Sequence, residues 1–152
     1  MAGCKLRRQE GFSLVEVLVA LTILAVGLLG LAMFQVTAIK GNAIASKWTV
    51  ATEVAQDRIE RFRHVAWGNI TSSSSSGFNT GTMLPEYANL PGAAGDNTTV
   101  RGTPYYRVWY VNPPTSATNS FTTITVWCCW RDESAIWHNV MLVTQRTNVG
   151  GM

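Results

Sequence analysis

The sequence predicts an α+β fold: a long N-terminal helix, membrane-spanning in its first half, packed through its second half on a small C-terminal antiparallel β-sheet. Three observations carry this. Val17 to Ile39 is a run of 23 residues without a charge. From Ile44 to Phe62, apolar residues recur at helical spacing. After Tyr105, β-branched and aromatic runs alternate with turn residues.

The uncharged run comes first. Only Thr22, Gln35 and Thr37 in it are polar, and about 20 apolar residues suffice to cross the hydrocarbon core as a helix. A secretory signal has a shorter apolar stretch, about 7–15 residues, and no small-x-small cleavage site follows Met33. The run therefore reads as a retained span. Lys5, Arg7 and Arg8 precede it, which keeps the N-terminus cytoplasmic and sends the remainder to the periplasm or outside. These residues also account for most of the net charge of +3, so the rest of the 152-residue chain is nearly neutral and offers no basic surface for a phosphate backbone. No nucleic-acid partner is expected.

Beyond Ile39 the pattern turns amphipathic. Ile44, Trp48, Ala51, Ala55, Ile59 and Phe62 form a stripe opposite Lys40, Lys47, Glu53, Asp57, Glu60, Arg61 and Arg63. Asp57 and Arg61 stand four apart with the acid first, the favourable order. One helix is expected from Phe12 to Ala66, stopped at Trp67-Gly68-Asn69 with Gly68 as a left-handed cap. The charged face at Gln56 to Arg61 reads as solvated; a substrate-grip surface is the rival reading.

Gly68 to Thr103 reads as one long irregular stretch. Ser72 to Ser76 reads as a flexible connector, with a dedicated contact surface as the alternative. Three strands follow. Tyr105 to Val111 ends at Pro113-Pro114. Phe121 to Trp130 places Ile124, Val126, Cys128 and Trp130 on one face and Thr123, Thr125, Trp127 and Cys129 on the other. Arg131 to Ala135 is a hairpin connector, and Ile136 to Gln145 returns with Val140 and Leu142 toward the core beside His138.

Glu16 interrupts this scheme. A carboxylate at the start of an apolar helix either sits solvated at headgroup level or needs a partner. The residues before it read Arg7-Arg8-Gln9-Glu10-Gly11-Phe12-Ser13-Leu14-Val15-Glu16. This run, followed by a span, resembles the prepilin signal of type IV pilins and type II secretion pseudopilins. Val17 to Ala32 is similar to the segment of minor pilins of the pilus-modification (PilV) kind, and Val126-Trp127, Trp130-Arg131-Asp132 and His138 to Thr144 resemble their closing hairpin.

The resemblance implies a type IV pilin-like fold and a set of roles. Prepilin peptidase would cut between Gly11 and Phe12 and methylate the new Phe12 amine. Glu16, the fifth residue of the mature chain, would neutralise the Phe12 amine of a neighbouring subunit. Residues 1–11 would be the leader, 12–39 the membrane and filament-core helix, 40–67 the amphipathic helix, 68–103 a variable loop and 104–152 the sheet. The expected partners are prepilin peptidase, other minor and major pilins, the inner membrane and the pilus assembly machinery. The expected role is priming or assembly of a type IV pilus, with a type II secretion pseudopilin or a tip adhesin as alternatives.

Enzyme chemistry is not expected. Cys4 lies in the leader; adjacent Cys128 and Cys129 point to opposite faces of a strand, predicting one buried and one outer thiol, with a bond from Cys129 to another protein as a further reading. Neither a zinc-ligand spacing, a haem site nor a G-x-S-x-G nucleophile motif is present. His64 suits the end of the helix as a cation. No metal or cofactor is expected. Trp109, Trp127, Trp130, Trp137, Tyr105, Tyr106 and Tyr110 read as core rather than as a stacking platform.

Overall fold

The computed structural model describes residues 11–116 and 118–148. Helix α1 (Leu14–His64) is followed by strands β1 (Phe78–Asn79), β2 (Leu84–Pro85), β3 (Asp96–Val100), β4 (Thr103–Asn112), β5 (Phe121–Arg131) and β6 (Trp137–Thr147). The chain divides into two units, one ending at Ile44 and the other starting at Ala45. The α+β architecture expected from the sequence is the one observed, with a four-stranded antiparallel sheet in the order β3-β4-β5-β6.

In the first unit α1 buries nothing. Its large apolar residues, from Leu14 through Ile39, all stand exposed. The helix is long and apolar enough to cross a membrane.

In the second unit, the turns of α1 from Ala45 onward pack on one face of the sheet. Ala51 and Ala55 are fully buried, and their small side chains let the helix approach closely. Val54 and Phe62 join them against Tyr105, Trp109 and Val111 of β4 and Ile124, Val126, Cys128 and Trp130 of β5. The expected stripe is correct from Ala51 to Phe62. Ile44 is exposed, and Trp48 is half-exposed with its ring edge on Trp130 at 5.0 Å. Helix α1 ends at His64, two residues short of the expectation. Gly68 does not cap it in a left-handed conformation; it lies inside a 3-10 turn, Trp67–Asn69.

The stretch after the helix is more ordered than its composition suggests. Ser72 and Ser73 run beside β4: Val111 N donates to Ser72 Oγ at 3.0 Å, and Ser73 N donates to the Trp109 carbonyl at 3.0 Å. The flexible-connector reading therefore fails for these two serines, which bond the flank of β4 beyond the reach of β3. The segment holding β1, β2 and the turn Tyr87–Asn89 then lies over the second face of the sheet. Phe78 and Leu90 cover Val108, Trp127 and Cys129 there. Phe78 stacks on Trp127 at 5.7 Å, and Tyr87 stacks on Trp137 at 5.8 Å.

This second layer corrects the thiol expectation. The two cysteines do occupy opposite faces of β5, but both are fully buried, Cys128 under α1 and Cys129 under the covering segment. Burial raises the Cys128 thiol to about 12 and shifts that of Cys129 the same way. A bond from Cys129 to another protein has no access in this fold. Cys4 lies outside the described residues.

Strand β3, inside the stretch expected to be irregular, gives no strand signal because Asp96-Asn97-Thr98-Thr99-Val100 is polar and short. It is an edge strand hung on β4 by the tight turn at Arg101 and Gly102, both with positive φ. Its entry is packed without slack. A Cβ on Gly95 would lie 2.3 Å from the Trp109 ring and 2.8 Å from the Ser73 Cβ. Gly95→Ala is therefore expected to destabilise the second unit by about 1–3 kcal/mol, as overpacking does. Urea unfolding of the full chain measures this; an unchanged midpoint would contradict the packing described.

Candidate functional site

Two places in the chain carry charge against an apolar background: the start of α1, and the junction of α1 with β3 and β4.

At the start of α1, Ser13 precedes the first helical residue. Its carbonyl accepts from Glu16 N at 3.0 Å and Val17 N at 3.2 Å. Glu16 lies in the first turn, where a carboxylate complements the positive end of the helix dipole. Phe12 and Glu16, four residues apart, share one side of the chain with Val17, Ala20, Leu21 and Leu24, and the six line an open, mostly apolar groove. Phe12 is 83% exposed. Among the described residues Glu16 has no ion partner. Gly11 has open space around it. The arrangement presents one carboxylate on an exposed apolar helix, a surface that needs lipid or other helices to cover it. Lys5, Arg7 and Arg8, read as the basic leader, lie outside the described residues.

The second place was not legible as a site. Arg107, on β4, is 4% exposed, yet it is charged. Four of its five guanidinium N–H groups are used: Nε donates to Asp96 Oδ1 at 2.5 Å, Nη2 to Asp96 Oδ2 at 2.9 Å, and Nη1 to Asp57 Oδ2 at 2.8 Å and the Val54 carbonyl at 3.0 Å. Arg58 completes the cluster, 3.4 Å from Asp96 and over the Trp109 ring at 3.8 Å. The hydrogen bond from Arg107 is the main cause holding the Asp57 carboxyl below its ordinary range. Asp57 also takes the expected bond from Arg61 Nε at 3.1 Å. The charged face at Gln56 to Arg61 is thus partly structural: Asp57 and Arg58 tie α1 to β3 and β4 rather than facing a substrate.

Arg107→Met tests this cluster. It removes the cation and leaves Asp96 and Asp57 without it. Breaking a fully buried pair costs about 3–5 kcal/mol. Both carboxylates here keep some solvent, so about 2 kcal/mol is expected. Asp96→Asn keeps the shape, one accepting oxygen and the Arg107–Asp57 pair, and should cost less. Equal stability of Arg107→Met and the wild type in urea would show that the cluster contributes nothing.

Smaller polar arrangements close the hairpin and the end of α1. His138 Nε2 lies 2.9 Å from Asp132 Oδ2, and Ile136 N donates to Asp132 Oδ1 at 2.8 Å. The bond to His138 is the main cause lowering the Asp132 carboxyl below its usual value. Arg146 donates to the Phe62 and Val65 carbonyls, where the last carbonyls of a helix lack partners within it. His64 stands 3.7 Å from Glu60. Of the aromatic residues expected in the core, Tyr105, Trp109, Trp127 and Trp130 are buried, while Tyr106, Tyr110 and Trp137 are partly buried against it.

Residues 6–32 match the family model of the prokaryotic N-terminal methylation motif, a type IV prepilin-like signal. The match takes in Gly11, Phe12 and Glu16 and ends within the exposed apolar part of α1. No curated protein and no solved structure matches the chain.

Proposed function

We propose that the chain is made as a membrane-anchored prepilin, cut by prepilin peptidase between Gly11 and Phe12, methylated at the Phe12 amine, and moved into a pilus as a minor pilin of the pilus-modification kind. One observation carries this reading: a methylation-motif match over residues 6–32 that takes in the exposed apolar start of α1, where Glu16 is the one acid before Ala45. Before assembly the chain sits in the inner membrane, N-terminus inside and sheet in the periplasm, as the basic residues before the span dictate. On extraction, the segment from Phe12 trades lipid for the apolar helices of neighbouring subunits. Glu16 then meets a neighbour's Phe12 amine, and two charges that are costly alone become a pair. Residues 1–11 are the leader, 12–39 the filament-core helix, and the second unit the part displayed to solvent. The role is priming or assembly rather than bulk filament.

The test is deletion of the gene in its host, with surface pili counted by electron microscopy. The reading predicts loss of pili, restored by the wild-type chain and not by Gly11→Val, whose bulk at the cut site blocks processing. Normal pilus numbers with impaired protein secretion would transfer the chain to a secretion pseudopilus. Normal pili and secretion with lost surface attachment would make it an adhesive tip pilin.

A further inference from the structure

The two edges of the sheet are treated very differently. On the β3 side the edge strand has five residues, carries Asp96 held by Arg58 and Arg107, and ends in a tight turn. The flank of β4 that β3 does not reach is bonded by Ser72 and Ser73. On the other side β6 has eleven residues, all in register with β5 on its inner edge. Its outer edge has no strand or loop against it among the described residues.

Proteins usually blunt such an edge with lysine, proline, a bulge or a covering segment. Beyond Asn139, strand β6 uses none of these. It contains no Pro or Lys, its register with β5 is unbroken, and Asn139 to Gln145 is uncharged. Its charged Arg146 is turned onto the end of α1. The covering segment reaches only its first residues, through Tyr87 against Trp137 and Asn139. Beyond that, Met141 and Val143 stand about half exposed on the face away from α1.

We infer that the outer edge of β6 is a docking site for an extended strand of a different protein, which pairs antiparallel along Asn139 to Thr147 and lays alternate apolar side chains beside Met141 and Val143. An open run of backbone N–H and C=O groups specifies an extended chain as its ligand. An antiparallel partner continues a sheet that is antiparallel throughout and pairs slightly better than a parallel one. A second copy does not fit. Antiparallel pairing of Asn139–Thr147 with the same segment of a copy centres on Val143 and sets each Met141 beside a Gln145, not beside an apolar side chain. Pairing β6 with β3 of a copy would occupy only five residues.

The test is a scan with a photo-reactive amino acid at Met141, Val143, Gln145 or Thr147, all exposed, in four full-length variants in the host membrane. Adducts are mapped by mass spectrometry. Strand addition predicts one segment of one other protein, with the labelled position moving back two residues there for each two-residue step along β6. Adducts on a second copy of this chain, on lipid, scattered without that step, or absent at all four positions would each overturn the proposal.

Discussion

Glu16→Ala is expected to be cleaved like the wild type and to fail to enter the assembly. The cut lies before Phe12, so the peptidase acts upstream of the substitution. The loss comes later. In the lone chain Glu16 has no ion partner among the described residues and stands beside Phe12 on an exposed apolar helix. On the proposed reading it is held for a neighbour's amine. Removing it leaves that amine buried and unpaired, which costs about 3–5 kcal/mol. That corresponds to affinity for partner pilins reduced by roughly two to four orders of magnitude, read as lost co-purification. Glu16→Gln separates charge from shape: it keeps the size and the hydrogen-bonding oxygen and should fail nearly as badly. Undiminished capture of partner pilins by Glu16→Ala would remove the pairing role.

Trp130→Ala is expected to unfold the second unit or bring it close to unfolding. Trp130 is 1% exposed and joins three elements. It meets the edge of Trp48 from α1 at 5.0 Å, stacks on His138 of β6 at 5.5 Å, and lies 6.0 Å from Tyr105 of β4. Truncating a buried tryptophan costs about 3–5 kcal/mol, against a typical domain stability of about 5–15 kcal/mol. Trp130→Phe, which keeps part of the ring contacts, should fall between. Urea unfolding of the full chain in detergent, followed by far-ultraviolet circular dichroism, gives the comparison. A loss below about 1 kcal/mol for Trp130→Ala would be far outside the range for such a truncation and would contradict the packing.

The parts of this architecture that repeat a period were legible in the sequence. The apolar run of α1, the stripe from Ala51 to Phe62 and the alternation of β5 each announce one face or one span, and the two faces of β5 came out as predicted. What was not legible depends on residues far apart in the chain. Strand β3 is polar and acquires its structure from pairing with β4. One of the two thiols is expected to face outward, because nothing in β5 itself says that Phe78 and Leu90 will cover Cys129. Arg107 looks like an exposed strand residue until Asp57 and Asp96 are brought to it from 50 residues and 11 residues away. Gly68 looked like a helix cap because Gly near a helix end usually is one, but α1 stops at His64 and the chain tightens into a 3-10 turn. At the start of α1 the reverse holds. The order Gly11, Phe12, Glu16 is a linear signal, legible without any fold, and its proposed use lies between subunits rather than within one.

The processing of Gly11-Phe12 is the premise on which the rest of the functional account stands, and the intact mass of the chain purified from its host measures it. The expected result is a chain beginning at Phe12, shortened by the eleven residues Met1 to Gly11 and heavier by one methyl group at its new amine. A chain that retains Met1 to Gly11 in the host membrane would contradict it and leave a single-pass membrane protein that is never processed.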